Sequence, residues 1–129
     1  MLIKNSMLEV LDNSAPTLVK CIHIYNKKHI GYINDLILIV IKKSIQNLKI
    51  NQKNKNNLNK GVLSKAIIVQ TKKKILRKDG TSLRFDSNFC IILNKQMNLA
   101  GTRITGPVGK EIKQNVLCQK FLTLAPLII

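Results

Sequence analysis

The sequence predicts a mainly β protein built on a small closed barrel. Short runs rich in branched apolar side chains recur at 19–25, 36–41, 66–71, 82–85 and 89–93, with the length and composition of strands. Small turns rather than helical patterns separate them, which favours a barrel that protects its own edges over a layered α/β fold. The size agrees: 129 residues with 45% hydrophobic content suit one compact domain and leave little room for a second.

The first strand is VKCIHIY at 19–25. Gly31 to Asp35 turns the chain into Leu36–Ile41, apolar throughout and so expected to be buried on both sides. Residues 46–60 are dense in Asn and Lys and low in apolar side chains, the composition of a solvated loop. Ala66-Ile67-Ile68-Val69 then leads into Lys72-Lys73-Lys74 and Arg77-Lys78. A tight Asp79-Gly80 turn returns the chain through Ser82-Leu83-Arg84-Phe85, which makes a β-hairpin with a cationic face, projecting from the strands that carry the core. Phe89–Leu93 closes the β part. Beyond it, Pro107 suits a first helical turn with Val108 and Ile112 on one face, and a second short turn is expected at 117–121. The expected organisation is one domain, 1–129. Its barrel spans about 1–105, including the loop 46–60 and the hairpin 70–86, and a helical part spans about 106–129.

Charge narrows the function. The formal net charge is +16, and between Asp35 and Asp79 there are twelve Lys or Arg residues and no acid. Such a field attracts polyanions. Lysine outnumbers arginine nineteen to three, which favours recognition of phosphate backbone and shape over base reading by the planar guanidinium fork. A solvated face is the bland account of a charge run. The imbalance nonetheless makes RNA binding the better account for Lys72, Lys73, Lys74, Arg77, Lys78 and Arg84. Lys42, Lys43, Lys49, Lys53, Lys55 and Lys60 form a second basic set, for which a solubilising loop is as good an account as an ordered contact. Phe85, Phe89 and Phe121 are expected in the core rather than stacked on bases.

Other chemistries fare poorly. The cysteines Cys21, Cys90 and Cys118 lie far apart in an odd-numbered set, which gives no disulfide framework and points to a reducing compartment or buried thiols. Cys21-x-His23 has no second ligand pair at zinc spacing. Gly101 to Gly106 has phosphate-loop spacing, but Pro107 stands where Lys is required. The six carboxylates are scattered singly and make no acid–base pair. No apolar run approaches the roughly 20 residues of a membrane span, Lys4 and Glu9 flank no leader-like apolar stretch, and the basic segments lie on β and loop patterns rather than on an amphipathic helix. No catalytic activity, cofactor, metal or membrane partner is expected.

Several of these residues together resemble a known family. Ala66-Ile67-Ile68-Val69, nine residues, Asp79-Gly80, four residues, Phe85, two residues, Asn88, and then Ile91-Ile92 match the signature of the large-subunit ribosomal protein family numbered fourteen in the universal scheme. Met7-Leu8-x-Val10-x-Asp12-Asn13-Ser14 resembles that family's N-terminal motif. Gly101-Thr102-Arg103-Ile104-x-Gly106-Pro107-Val108 and Leu124-Ala125-Pro126 are similar to its C-terminal part. The resemblance implies a five-stranded barrel of oligonucleotide-binding type, a projecting hairpin and short C-terminal helices. It also implies binding to large-subunit rRNA, packing beside neighbouring large-subunit proteins, and bridges to small-subunit rRNA. Thr102, Arg103 and Lys120 are implied as a surface for a ribosome-silencing factor. Arg103, between two glycines, is the best single candidate for a specific contact, the alternative being a salt bridge to Glu111.

The chain also departs from the family pattern. Ala15-Pro16 replaces the usual Gly-Ala, and Thr17-Leu18 the usual basic pair. If that Gly is left-handed, Ala15 is strained there and the loop is reshaped, and the segment no longer offers RNA a basic side chain. Gln70 replaces a usually basic residue, Ile91 a usual Val, and the Asn/Lys loop is several residues longer than in typical bacterial relatives. The AT-like residue bias and a start close to the first motif point to a gene carried in an organelle, first a mitochondrion and second a plastid, with bacterial cytoplasm as a further alternative. The expected role is a structural constituent of the large ribosomal subunit. The alternative is a free-standing RNA-binding or RNA-chaperone barrel, which should show an aromatic stacking face.

Overall fold

A computed structural model describes residues 1–26, 29–45 and 59–129. Its strands are β1 (Met7–Val10), β2 (Pro16–Ile24), β3 (Leu36–Ser44), β4 (Leu63–Gln70), β5 (Ile75–Leu76), β6 (Ser82–Leu83) and β7 (Phe89–Leu93). Five of them close a barrel in the order β1-β2-β3-β4-β7, and β5 and β6 form the separate hairpin. All barrel pairs are antiparallel except β1 with β7, which closes the ring in parallel through Glu9–Phe89 and Val10–Cys90. Among the described residues the closure leaves no long free edge to pair with another chain.

Alternation along each strand explains the core. Val19, Cys21, Ile37, Ile39, Ile41, Ala66, Ile68, Cys90 and Ile92 point inward and fill the barrel with Leu2, Leu8 and Ile24. On β4 and β7 the other set, Ile67, Val69, Ile91 and Leu93, is buried as well. It packs outside the barrel under Leu83, Phe85, Ile104, Val108, Ile112 and Phe121. The strands covered on both faces are therefore β4 and β7, and not β3, whose apolar run implies burial on both sides. On β3 the inner Ile37, Ile39 and Ile41 are buried while Leu36, Leu38 and Val40 are half-buried. The reason is that the C-terminal segment and the hairpin lie over β4 and β7 and leave the outer face of β3 open.

The ends of the chain hold further differences. β1 forms from Met-Leu-Glu-Val, in which only Leu8 is buried, too short and too polar to read as a strand by pattern. β2 starts three residues early, at Pro16, where a strand's first residue tolerates proline. The helical part consists of 3-10 turns at Lys110–Gln114 and Val116–Cys118 and one α-helical turn, α1 (Gln119–Leu122). Pro107 precedes these turns rather than opening one. Val108 instead bridges Ile128, with Val108 N–H donating to Leu127 O at 3.0 Å. Val108 and Ile112 do share one buried cluster, as their spacing implies. No described helix is long and apolar enough to cross a membrane.

Candidate nucleic-acid interface

The hairpin is built by its own polar residues. Arg77 N–H donates to Thr81 O at 2.9 Å and Gly80 N–H to Arg77 O at 3.2 Å. Gly80 has φ +84°, the left-handed state that closes a three-residue hairpin loop and that glycine enters without a Cβ clash. Asp79 Oδ1 accepts from Thr81 N at 3.0 Å and from Thr81 Oγ1 at 2.6 Å, an Asx turn that engages the carboxylate within the loop itself. These bonds hold the Asp79 carboxyl below its ordinary value. At the base of the ribbon, Asn88 Oδ1 accepts from Lys72 N at 2.8 Å, Asn88 O accepts from Glu9 N at 3.0 Å, and Phe85 N–H donates to the carbonyl of buried Thr71.

One face of this ribbon is fastened to the body. Leu83 is buried, and a Cβ on Gly109 would come within 3.2 Å of it. Arg77, with its side chain only 14% exposed, donates from Nε to Glu111 Oε1 at 2.7 Å. Its Nη2 donates to Glu111 Oε2 at 3.3 Å and to the main-chain oxygen of Ile129 at 2.7 Å. Burial acts to raise the Glu111 carboxyl, and the hydrogen bonds and charge of Arg77 outweigh it, so Glu111 lies below its ordinary value. The other cations lie before, at the tip of and after the ribbon's two strands. Lys72, Lys73, Lys74, Lys78 and Arg84 are all exposed. The structure thus separates Arg77 from the five other cations of the hairpin: its donors are engaged by Glu111 and Ile129.

The second basic set lies elsewhere. Lys42 and Lys43 are exposed near the end of β3 that pairs with the start of β2. The hairpin leaves β4 beyond the other end of β3, since Leu36 pairs with Ile67 and Val40 with Leu63. At about 3.3 Å per residue the two sets are roughly 20 Å apart along β3. Lys49, Lys53 and Lys55 lie outside the described residues, as does most of the loop expected at 46–60, while Lys60 is exposed.

Thr102 and Arg103 come together at the β1–β2 corner, and Asn13 holds them. Asn13 Oδ1 accepts from Thr102 N at 2.8 Å and Arg103 N at 3.2 Å, and Asn13 Nδ2 donates to Thr102 Oγ1 at 2.7 Å. A Cβ on Gly101 would meet Asn13 Oδ1 at 2.6 Å. Beside it, buried Asp12 accepts from Ser14 N–H, Ser14 Oγ and Ile92 N–H, and burial pushes its carboxyl up. The Arg103 side chain is exposed, and the pairing with Glu111 given as its alternative is replaced by that of Arg77. Lys120, also exposed, is carried by α1, a different element that follows Cys118, whose thiol lies 3.6 Å from Asn34 Oδ1.

The departures from the family pattern also resolve. Ala15 does not adopt a positive φ, so it carries no left-handed strain. Its carbonyl accepts from Ile45 N at 2.8 Å. Gln70 is buried and donates from Nε2 to the Pro107 carbonyl, tying the foot of the hairpin to the C-terminal segment. Sequence reasoning does not assign Glu111 as the clamp, Asn13 as the holder of Thr102 and Arg103, or Asn88 as the brace of the hairpin. The signals available are the motif positions of Asn13 and Asn88, and Glu111 has none. Phe85 and Phe121 are in the core, whereas Phe89 is half-buried and borders a cavity. Among the described residues no group of three His, Cys, Asp or Glu is placed to hold a metal ion.

Compared with known protein families, the chain matches the model of the one described as ribosomal protein L14p/L23e over residues 1–129, its whole length.

Proposed function

This chain belongs to the ribosomal protein L14p/L23e family, a structural and non-enzymatic family of the large ribosomal subunit, and from that premise we propose that it grips large-subunit rRNA with the exposed lysines of its hairpin. The observation that carries this reading is the division of labour on the ribbon. Leu83 and Arg77 fasten one side, and Lys72, Lys73, Lys74 and Lys78 stand exposed on a backbone stiffened by the Asp79-Gly80 turn. Point charges on a stiff ribbon suit phosphates at fixed spacing and read no sequence.

Lys42 and Lys43, at the other end of β3, are farther from the hairpin than the Debye length of roughly 8–10 Å. They therefore serve a separate contact, with a second RNA element. Two basic ends on one rigid barrel fit a protein lodged between RNA segments and taking part in bridges to small-subunit rRNA. Thr102 and Arg103, held by Asn13, offer the surface for a neighbouring protein or a silencing factor, with Lys120 as its outlying member. The ribosome concerned is that of a mitochondrion, with plastid or bacterial ribosomes as alternatives.

Sucrose-gradient sedimentation of the tagged protein at low magnesium tests this. Co-migration with the large subunit through moderate salt is expected. Migration as free protein or on scattered RNA would put the barrel outside the ribosome.

A further inference from the structure

At the foot of the hairpin lies a cavity of about 340 Å³, toward the small end of the roughly 300–1,000 Å³ typical of small-molecule sites. Leu11, Phe85, Phe89 and Pro107 form its apolar walls. Arg84, Asp86 and Ser87 line it as well. Among the described residues, none donates to or accepts from these three side chains, whereas Gln70 in the same lining, and Asp12, Asp79 and Glu111 elsewhere, are engaged in internal bonds. Two aromatic side chains with an unengaged cation, carboxylate and hydroxyl make a set that recognises a flat, polar-edged group attached to an anion.

We infer that this cavity takes one unstacked RNA base, guanine for preference, from the strand whose phosphates run along the hairpin. The inference rests on the RNA-binding reading above and deepens it. Phe89, half-buried at the cavity wall, supplies a face for stacking, as aromatic side chains do for splayed bases. The Asp86 carboxylate only accepts hydrogen bonds. Guanine offers it two adjacent donors, N1–H and N2–H, on its Watson–Crick edge, whereas uracil offers one. Arg84, exposed in the lining of the cavity, takes the phosphate of the same nucleotide. The acid that looks misplaced on a basic ribbon thus gains a role: it selects the base while its neighbours hold the chain.

The test uses the full chain and nine-nucleotide RNAs of uridine carrying guanosine, uridine or an abasic residue at the centre, with binding followed by anisotropy at fixed low salt. The wild type should hold the guanosine RNA roughly tenfold more tightly than the abasic one, the size expected of one stacked base. Phe89→Leu should abolish that difference with the salt dependence unchanged. Asp86→Ala, at an exposed position that leaves the fold intact, should abolish the preference of guanosine over uridine and decides the matter if Phe89→Leu melts early. Salt-dependent binding that ignores the central residue, or a preference that survives in both variants, overturns the pocket while leaving the RNA reading standing, and a neighbouring protein's side chain becomes its occupant. No salt-dependent binding to these RNAs or to structured rRNA overturns both.

Discussion

Asn13 does more for the local structure than its place in a turn implies. Its side chain reaches Thr102 and Arg103 from 89 and 90 positions away, beside its own main-chain N–H, which donates to Arg103 O at 3.3 Å. Asn13→Ala should destabilise the protein by about 0.5–1.5 kcal/mol, the net worth of hydrogen bonds whose donors water can reach, seen as a lowered denaturant midpoint. Gly101→Ala should cost about 1–3 kcal/mol by overpacking, because the new methyl falls 2.6 Å from Asn13 Oδ1. A stability equal to wild type in either variant contradicts this account. Such roles are hard to read from the chain. Arg77 looks like any other cation of the hairpin until Glu111, 34 residues on, is placed beside it. Asp79 and Gly80 are legible because a turn is made by neighbours.

The hairpin and the C-terminal segment behave as one element because of the Arg77–Glu111 clamp. Glu111 titrates below its ordinary value in the folded protein. Its contribution is thus fully present above the unfolded glutamate pKa of 4.5, and is lost as pH falls through the lower folded value. Asp79, also depressed, adds a loss of the same sign below its own unfolded value of 3.8. Asp12, raised by burial, acts in the opposite sense, so the clamp is read from the difference between two proteins. In thermal melts from pH 6 to pH 3, Glu111→Gln should start below the wild type and the gap should close as pH falls. Methyl resonances of Ile75 and Leu83 should shift together with the loss; parallel pH profiles for the two proteins would rule the clamp out as a coupling. The strands themselves are largely legible. Ala66–Val69 and, within Phe89–Leu93, the four residues from Cys90 on are apolar runs buried on both faces. The equally apolar Leu36–Ile41 is not, because what covers a strand depends on segments distant in the chain.

At the scale of the whole molecule, closure of the barrel buries Cys21 and Cys90, and the C-terminal segment packed on its outside buries Cys118. Burial pushes Cys118 up to about 11 and Cys21 and Cys90 up as well, so little thiolate is available at neutral pH. Alkylation of the folded protein should therefore be slow at every cysteine and rise to the free-thiol rate in denaturant; rapid native labelling of Cys21 or Cys90 would contradict the closed barrel, and of Cys118 the packing of the C-terminal segment on it. The same architecture sets the two basic ends apart. Their presence is legible as charge, but their placement at opposite ends of β3 depends on strand register, which composition does not carry.

The measurement that tests the central claim most directly is the salt dependence of binding to folded large-subunit rRNA, for the wild type and for a variant with Lys72, Lys73 and Lys74 changed to Gln and Arg77 left in its clamp. If the hairpin dominates and its five exposed cations neutralise about five phosphates, the wild-type slope of log K against log salt is about −4 to −5, and losing three cations brings it to about −2. An unchanged slope in a variant that still melts like the wild type would show that the RNA is held elsewhere on the barrel.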